Sequence, residues 1–442
     1  MPTASKTATA TLREQIRSTR RAARALARLT GDQRNRILLA CADRIEARSA
    51  EILEANQVDC DVFAGAVSAG NVSPALLKRL KTSAAGVREM AMRIRDVIRL
   101  ADPLAPTLAT TELDDGLTLH KVPCPLGVIA VIFEARPDVV PQVGSLAIKT
   151  GNGLVLKGGA EALRTNRVLV DVWREALSSE NPALAAAICL LEDRAEVMQI
   201  LEMDREIDLV VPRGSAEFVN FVFQHSRIPV LGHGAGICHI YVDRAADLAM
   251  AKRVVIDSKV QYPAACNSVE KVLVHQAIYS QFLPELVAGL QSAGVEVRGC
   301  ERTRQGTPGM NVIAATEEDW STEYSDLKIT IKVVSDLQEA IDHIDRHGSR
   351  HTESILTEDE SVAEQFLDEV DAASVFHNAS TRFADGFRYG LGAEIGISNS
   401  KLHARGPVGL EGLLTYKYKL RGSGQVVADY AEGRKKFTHR RK

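Results

Sequence analysis

The chain has 442 residues, 45% of them hydrophobic and 25% charged, with a formal net charge of −3. That is ordinary globular composition, at a length for two or three domains that can each bury a core. Near-neutral charge argues against nucleic acid as a partner. No apolar run approaches the ~18 residues needed to span a membrane, and seven scattered cysteines without a CxxC pair point to a reducing, cytoplasmic setting.

Residues 1–30 are rich in Ser, Thr, Ala and Arg, with Glu14 the only acid. Transit peptides share that composition. Residues 13–29 nevertheless have the spacing of an amphipathic helix, and a structural helix is expected. Helical patterning continues to about residue 100. Ile37, Leu38, Cys41 and Ile45 recur at helical spacing, with Asp32 placed to cap their helix. Pro103 and Pro106 close this region. Asp114-Asp115-Gly116 is a hairpin-turn signal inside the extended stretch 113–122. Residues 127–133 are all apolar or glycine, as in a strand buried on both faces.

The pattern then alternates. Strands are expected at 153–157, 187–191, 207–211 and 228–231, with helices at 141–150, 160–177 and 194–202. Such alternation through short loops means βαβ units and a doubly wound sheet. A second alternating region covers about 237–385. Its expected strands are 239–242, 271–274, 328–334 and 374–377, and its expected helices 248–258, 277–292, 337–346 and 358–369. Residues 416–427 read as a late extended segment, and the basic residues from 434 to 442 as a solvated tail.

Cys266 is the leading candidate for chemistry. It lies in Gln261-Tyr262-Pro263-Ala264-Ala265-Cys266-Asn267-Ser268, about 30 residues after Leu231-Gly232-His233-Gly234-Ala235-Gly236. Small neighbours leave room for a carbonyl beside the sulfur, which a thiolate could attack. The bland alternative is a buried cysteine serving as a small apolar residue. Lys157-Gly158-Gly159 and Arg213-Gly214-Ser215 are strand-end turns opening helices, where free backbone N–H groups can bind phosphates. Arg136 follows the apolar strand and could grip an anion, or pair with Glu134 or Asp138. The histidines show no ligand spacing, and no metal site is expected. Only His233 and His403 lie in loops suited to a site.

With these residues placed, the chain resembles the aldehyde dehydrogenase superfamily, and within it the branch that reduces γ-glutamyl phosphate. The likeness runs from Arg13 to about Tyr430. It rests on the stretches 127–137, 231–236, 262–267 and 381–398. It implies an α/β, aldehyde-dehydrogenase-like fold. A doubly wound dinucleotide-binding domain would cover 1–111 and 126–232, and an α/β catalytic domain 233–410. A hairpin at 112–125 and a strand at 411–430 would form a small oligomerisation β element. The resemblance makes Cys266 the nucleophile. Lys157, Gly158, Gly214 and Ser215 would contact the dinucleotide, and Glu323 would hold the nicotinamide ribose. Arg136 stands where ordinary aldehyde dehydrogenases carry the asparagine of their oxyanion hole. The Cys266 N–H, with Arg136 or Asn267, would stabilise the oxyanion. Arg136, Arg388 and Arg405 are candidates to bind the substrate's carboxylate and phosphate.

Ordinary aldehyde dehydrogenases carry a glutamate 34 residues before the cysteine, as base for thioester hydrolysis. Here that position is Gly232. Without the base, water attack should be slow, whereas phosphate is already an anion. The expected reaction is therefore NADPH-dependent reduction of L-glutamyl 5-phosphate, a small-molecule acyl phosphate, to glutamate 5-semialdehyde in proline biosynthesis. The expected route is a thioester on Cys266, with phosphate released. NADPH is expected because NAD-preferring members place a glutamate three residues after the Lys157 position, where this chain has Ala160. The alternatives are ordinary NAD-dependent oxidation, against which Gly232 argues, and a catalytically silent scaffold, against which the retained Cys266 argues. A homodimer is expected, with the late strand of one subunit pairing the hairpin of the other. Association with the glutamate kinase that makes the labile substrate is left open.

Overall fold

The arginine-rich N-terminal stretch is helical over Lys6–Leu26 in the computed structural model, which describes residues 6–68, 74–232 and 234–442. Leu12, Ile16 and Ala23 enter a core with Val128, Ala130, Ile132 and Val155. Its arginines meet acids of one loop. Arg13 and Arg17 reach Glu206 at 3.3 and 3.2 Å, and Arg20 reaches Asp208 at 2.8 Å. The composition that mimics a transit peptide thus docks the helix on a sheet. The next helix, Gly31–Ala47, is capped by Thr30 and not by Asp32. Thr30 is extended and forms a reciprocal capping box with Gln33, while Asp32 already lies in the first turn. Buried cations tie this helical layer together. Arg34 pairs with Asp102 at 2.6 Å, and Lys149 donates to Asn35 and to the Ile98 carbonyl.

The chain divides into two units, Met1–Leu231 with Leu391–Gly396 and Val408–Lys442, and Gly232–Gly390 with Ile397–Pro407. In the first unit four parallel strands run in the order Ile188–Leu191, Gly153–Lys157, Val128–Phe133, Leu209–Arg213. The chain starts at Val128–Phe133, builds outward on one side, then returns to the other. That makes the carboxyl ends of Val128–Phe133 and Leu209–Arg213 a topological switch point, where open α/β sheets bind ligands. The strand expected at 228–231 shrinks to one bridge, Val210 to Val230. Pro229 has no N–H with which to extend a ladder.

The hairpin pairs Ala109–Asp114 with Leu117–Pro125, and Gly116 supplies the positive φ of +68° at its turn. The late strand corrects one expectation. Leu414–Arg421 pairs antiparallel with Leu117–Pro125 of its own chain, from Leu414 opposite Pro125 to Arg421 opposite Thr118, and not with a second subunit's hairpin. Arg440–Arg441 adds to the other edge against Ala109–Asp114, while the basic residues from 434 to 442 stay exposed, as expected of a solvated tail.

The second unit holds seven parallel strands. Their order is Ile313–Ala314, Glu296–Gly299, Lys328–Val334, Val269–His275, Cys238–Val242, Thr352–Leu356, Ser374–His377. Helices Leu248–Val260 and Tyr279–Ser292 bury one face and Leu337–His347 and Glu360–Glu369 the other. Thr352–Leu356 was not expected as a strand. Its polar residues are nonetheless buried, and Glu353 accepts from the His239 backbone N–H at 2.6 Å and meets its Nδ1 at 3.0 Å. Among the described residues no helix is long and apolar enough to cross a membrane.

Candidate active site

Helix Leu248–Val260 ends at Gln261, and a tight turn carries Cys266. The turn is stitched locally. Ala265 N–H donates to the Tyr262 carbonyl, Ser268 N–H to the Ala265 carbonyl, and Ser268 Oγ to the Ser258 carbonyl at 3.1 Å. Cys266 is half-buried. Its carbonyl accepts from the buried thiol of Cys238 at 3.3 Å. Gly236 of the glycine-rich run packs against the same carbonyl so closely that a Cβ there would lie 2.1 Å from the oxygen. With the carbonyl side closed, the Cys266 backbone N–H donates to no described residue and is free for a developing oxyanion.

Glu323 stands behind this run. Its Oε2 accepts from the Gly236 N–H at 2.8 Å and its Oε1 from Ser325 Oγ at 3.2 Å. A buried set of charges holds the Glu323 turn: Lys259 faces Glu270 at 3.2 Å, and Lys271 donates to the Thr322 carbonyl. Burial pushes the Glu270 carboxyl up and the Lys271 amine down. Asn267 is buried, and its amide N–H donates to the Ala384 carbonyl at 2.8 Å. It braces the turn.

The arginines divide differently from the sequence expectation. Arg388 Nη1 is spent on the Arg382 carbonyl at 2.7 Å. Arg405 is paired with Asp371 at 2.9 Å, an aspartate that also meets Lys401. Arg382, which sequence reasoning passed over, lies against the cysteine turn. Its Nε donates to Gln261 Oε1 at 2.9 Å and its guanidinium lies 5.8 Å from the Tyr262 ring centroid. It lies in the stretch 381–398 that carries the resemblance, but no role was read for it there. The available signal was an arginine among small residues, Asn378-Ala379-Ser380-Thr381-Arg382, just past a sheet strand. His403 is exposed, and His233 lies outside the described residues.

In the first unit, the switch-point crevice carries the other expected residues. Ala135 is held at φ +40°, its N–H donating to Glu161 Oε1 at 2.6 Å. Backbone strain of this kind gathers at functional sites. Arg136, next in chain, is half-buried; its carbonyl accepts from the Val139 N–H at 3.1 Å, and its side chain bonds to no described residue. Lys157 is buried at the end of its strand, where burial lowers its pKa, with Glu161 acting in the opposite sense. Gly158 and Gly214 are cradle positions. A Cβ at Gly158 would lie 2.2 Å from Asn166, and one at Gly214 3.0 Å from Phe218. Ser215 caps helix Ala216–His225 through the Phe218 N–H. Side-chain-free turns, a lysine and a helix start at a switch point fit a dinucleotide.

The model of the aldehyde dehydrogenase family matches residues 2–311. The chain belongs to that family, whose members use a nicotinamide cofactor. It is 55% identical to γ-glutamyl phosphate reductase of Cyanothece sp., over 97% of this chain and 98% of the relative. It is 51% identical to the enzyme of the same name from Haloquadratum walsbyi, over 97% and 95%. The crystal structure of γ-glutamyl phosphate reductase from Thermotoga maritima superposes with a TM-score of 0.90 at 42% identity, covering 93% of this chain and 99% of that one. Within the family, the chain groups with the γ-glutamyl phosphate reductases.

Proposed function

We propose that this protein is a cytoplasmic, NADPH-dependent reductase of L-glutamyl 5-phosphate that yields glutamate 5-semialdehyde in proline biosynthesis. The observation that carries the reading is Cys266 held on a closed turn with its own N–H free, in a chain with Gly232 at the base position. The sulfur attacks the acyl carbon, the bond from that carbon to the phosphate oxygen breaks, and phosphate leaves with the electron pair. The Cys266 N–H receives the oxyanion, aided by Arg136. Asn267 contributes by fixing the turn. The cofactor, when bound, supplies the hydride that reduces the thioester carbon. The alkoxide so formed re-forms its carbon–oxygen double bond, the carbon–sulfur bond breaks with its electron pair going to sulfur, and the aldehyde departs from a restored thiolate.

Residues 1–111 and 126–232 are assigned to the cofactor, through Lys157, Gly158, Gly214 and Ser215, with Glu323 for the nicotinamide ribose. Residues 233–410 are assigned to catalysis, and 112–125 with 411–430 to assembly of a homodimer. Because the acyl phosphate is labile, direct association with the kinase that makes it would shorten its path.

The test is the reverse reaction. Oxidation of glutamate semialdehyde with NADP⁺ should require inorganic phosphate, with arsenate a working substitute. Sustained turnover to free glutamate without phosphate would replace this reading with an ordinary aldehyde dehydrogenase.

A further inference from the structure

We propose that Arg382 is the residue that holds the phosphate of the acyl substrate beside Cys266; the assignment rests on the reductase reading above and extends it to a residue that the resemblance left without a role. The first support is rigidity. The turn Thr381–Phe383 is fixed on several sides. Ser380 Oγ meets Ser258 Oγ at 2.9 Å, the Ala384 carbonyl accepts from Asn267, and the Arg382 carbonyl accepts from Arg388. Ser258 and Asn267 are the anchors that also set the Cys266 turn, so cysteine and arginine share one scaffold.

The second support is an unspent fork. Arg382 is 8% exposed, yet no carboxylate lies within ion-pair distance of it among the described residues. Its Nε is used on Gln261, but its two terminal nitrogens donate to no described residue. A buried cation without a counter-ion is costly unless a ligand supplies the charge. Arg388 and Arg405 differ, since each has an aspartate within 4 Å, Asp385 at 3.8 Å and Asp371 at 2.9 Å. Burial and Arg388 both disfavour the charged form of Arg382, while a thiolate at Cys266 favours it, as do Asp385 and Asp257 from beyond ion-pair distance.

The third support is chemical. A planar guanidinium suits bidentate binding of phosphate oxygens. The phosphate is bonded to the carbon that sulfur attacks, whereas the substrate's α-carboxylate lies at its far end. A cation packed on the cysteine turn therefore meets the phosphate. It also stabilises charge that grows on the leaving oxygen as the bond breaks, and in reverse it positions phosphate to attack the thioester.

The test uses phosphate-dependent oxidation of glutamate semialdehyde by wild type, Arg382→Gln and Arg382→Lys. In Arg382→Gln the KM for phosphate should rise roughly 10- to 100-fold, with KM for semialdehyde and NADP⁺ unchanged. Arg382→Lys should recover part of the loss, which a merely structural arginine would not predict. In wild type, phosphate should protect Arg382 from phenylglyoxal, mapped by mass spectrometry, and this readout needs no variant to fold. An unchanged phosphate KM in Arg382→Gln, or equal Arg382 modification with and without saturating phosphate, would overturn the assignment while leaving the reductase reading intact. Wild-type turnover independent of phosphate would remove both.

Discussion

At Cys266 the decisive neighbour is one without a side chain. Gly236 presses on the cysteine's carbonyl, so a methyl at 236 must push the turn away. Gly236→Ala should lower kcat roughly 100-fold, because displacement of about 1 Å at a reacting centre has that effect. Helix content measured by circular dichroism should be unchanged, and a wild-type kcat would show that the turn relaxes without harm. Cofactor choice is also decided locally. Ala160 is exposed where a ribose-binding glutamate would stand, and the adjacent Glu161 is occupied with the Ala135 N–H. The kcat/KM for NADPH should therefore exceed that for NADH, and the reverse ranking would refute the argument. Cys266 was legible in sequence because small residues and proline around one thiol are unusual. Arg382 was not, because its significance lies in what it fails to pair with, and pairing is a property of the folded chain.

At the scale of elements, strands with apolar sequences were readable and strands with polar ones were not. Val128–Phe133 announces itself, whereas Thr352–Leu356 conceals a buried strand because Glu353 is partnered through Oε2 by His239, far away in sequence. Asp32 was read as a cap because its type is right, but Thr30 has the extended backbone that a cap needs. A similar economy appears at Asp319, which closes the capping box of Glu317–Trp320 and pairs with Arg298 at 2.6 Å. Burial alone would raise its pKa, but hydrogen bonds from Thr316, Tyr324 and Arg298 outweigh burial and hold it at about 2, against 3.8 ordinarily. A depressed carboxyl stabilises the fold above its unfolded pKa, and that contribution is lost as pH falls through the folded value. Asp319→Asn should thus be less stable than wild type at neutral pH, by urea denaturation, with the gap closing as pH approaches 2. A gap independent of pH would contradict the assignment.

At the scale of the molecule, the parallel sheets were within reach of sequence, since alternation and short loops leave few topologies, but the strand order of the second sheet was not, because Thr352–Leu356 lies inside it. The pairing of the late strand was not, because local pattern cannot say which chain supplies a partner. With Leu414–Arg421 paired in its own chain, its outer edge is open, and Tyr416, Tyr418 and Leu420 on it are exposed. Such an edge invites a second copy. Light scattering at micromolar concentration should report a dimer, and Leu420→Lys should shift it toward monomer. A monomeric wild type would refute the assembly role of this sheet.

The same pairing sets a schedule for synthesis. Asn152 donates to the Leu413 carbonyl, 261 residues further on, and the hairpin strand Leu117–Pro125 must wait longer still for Leu414–Arg421. At roughly 5–20 residues per second on the ribosome, that wait is tens of seconds. Throughout it the nascent first unit shows an unsealed strand edge while the whole second unit emerges. The growing chain is therefore most prone to clump in the interval before residue 421 leaves the exit tunnel, and a chaperone that shields edges should be needed most in that interval.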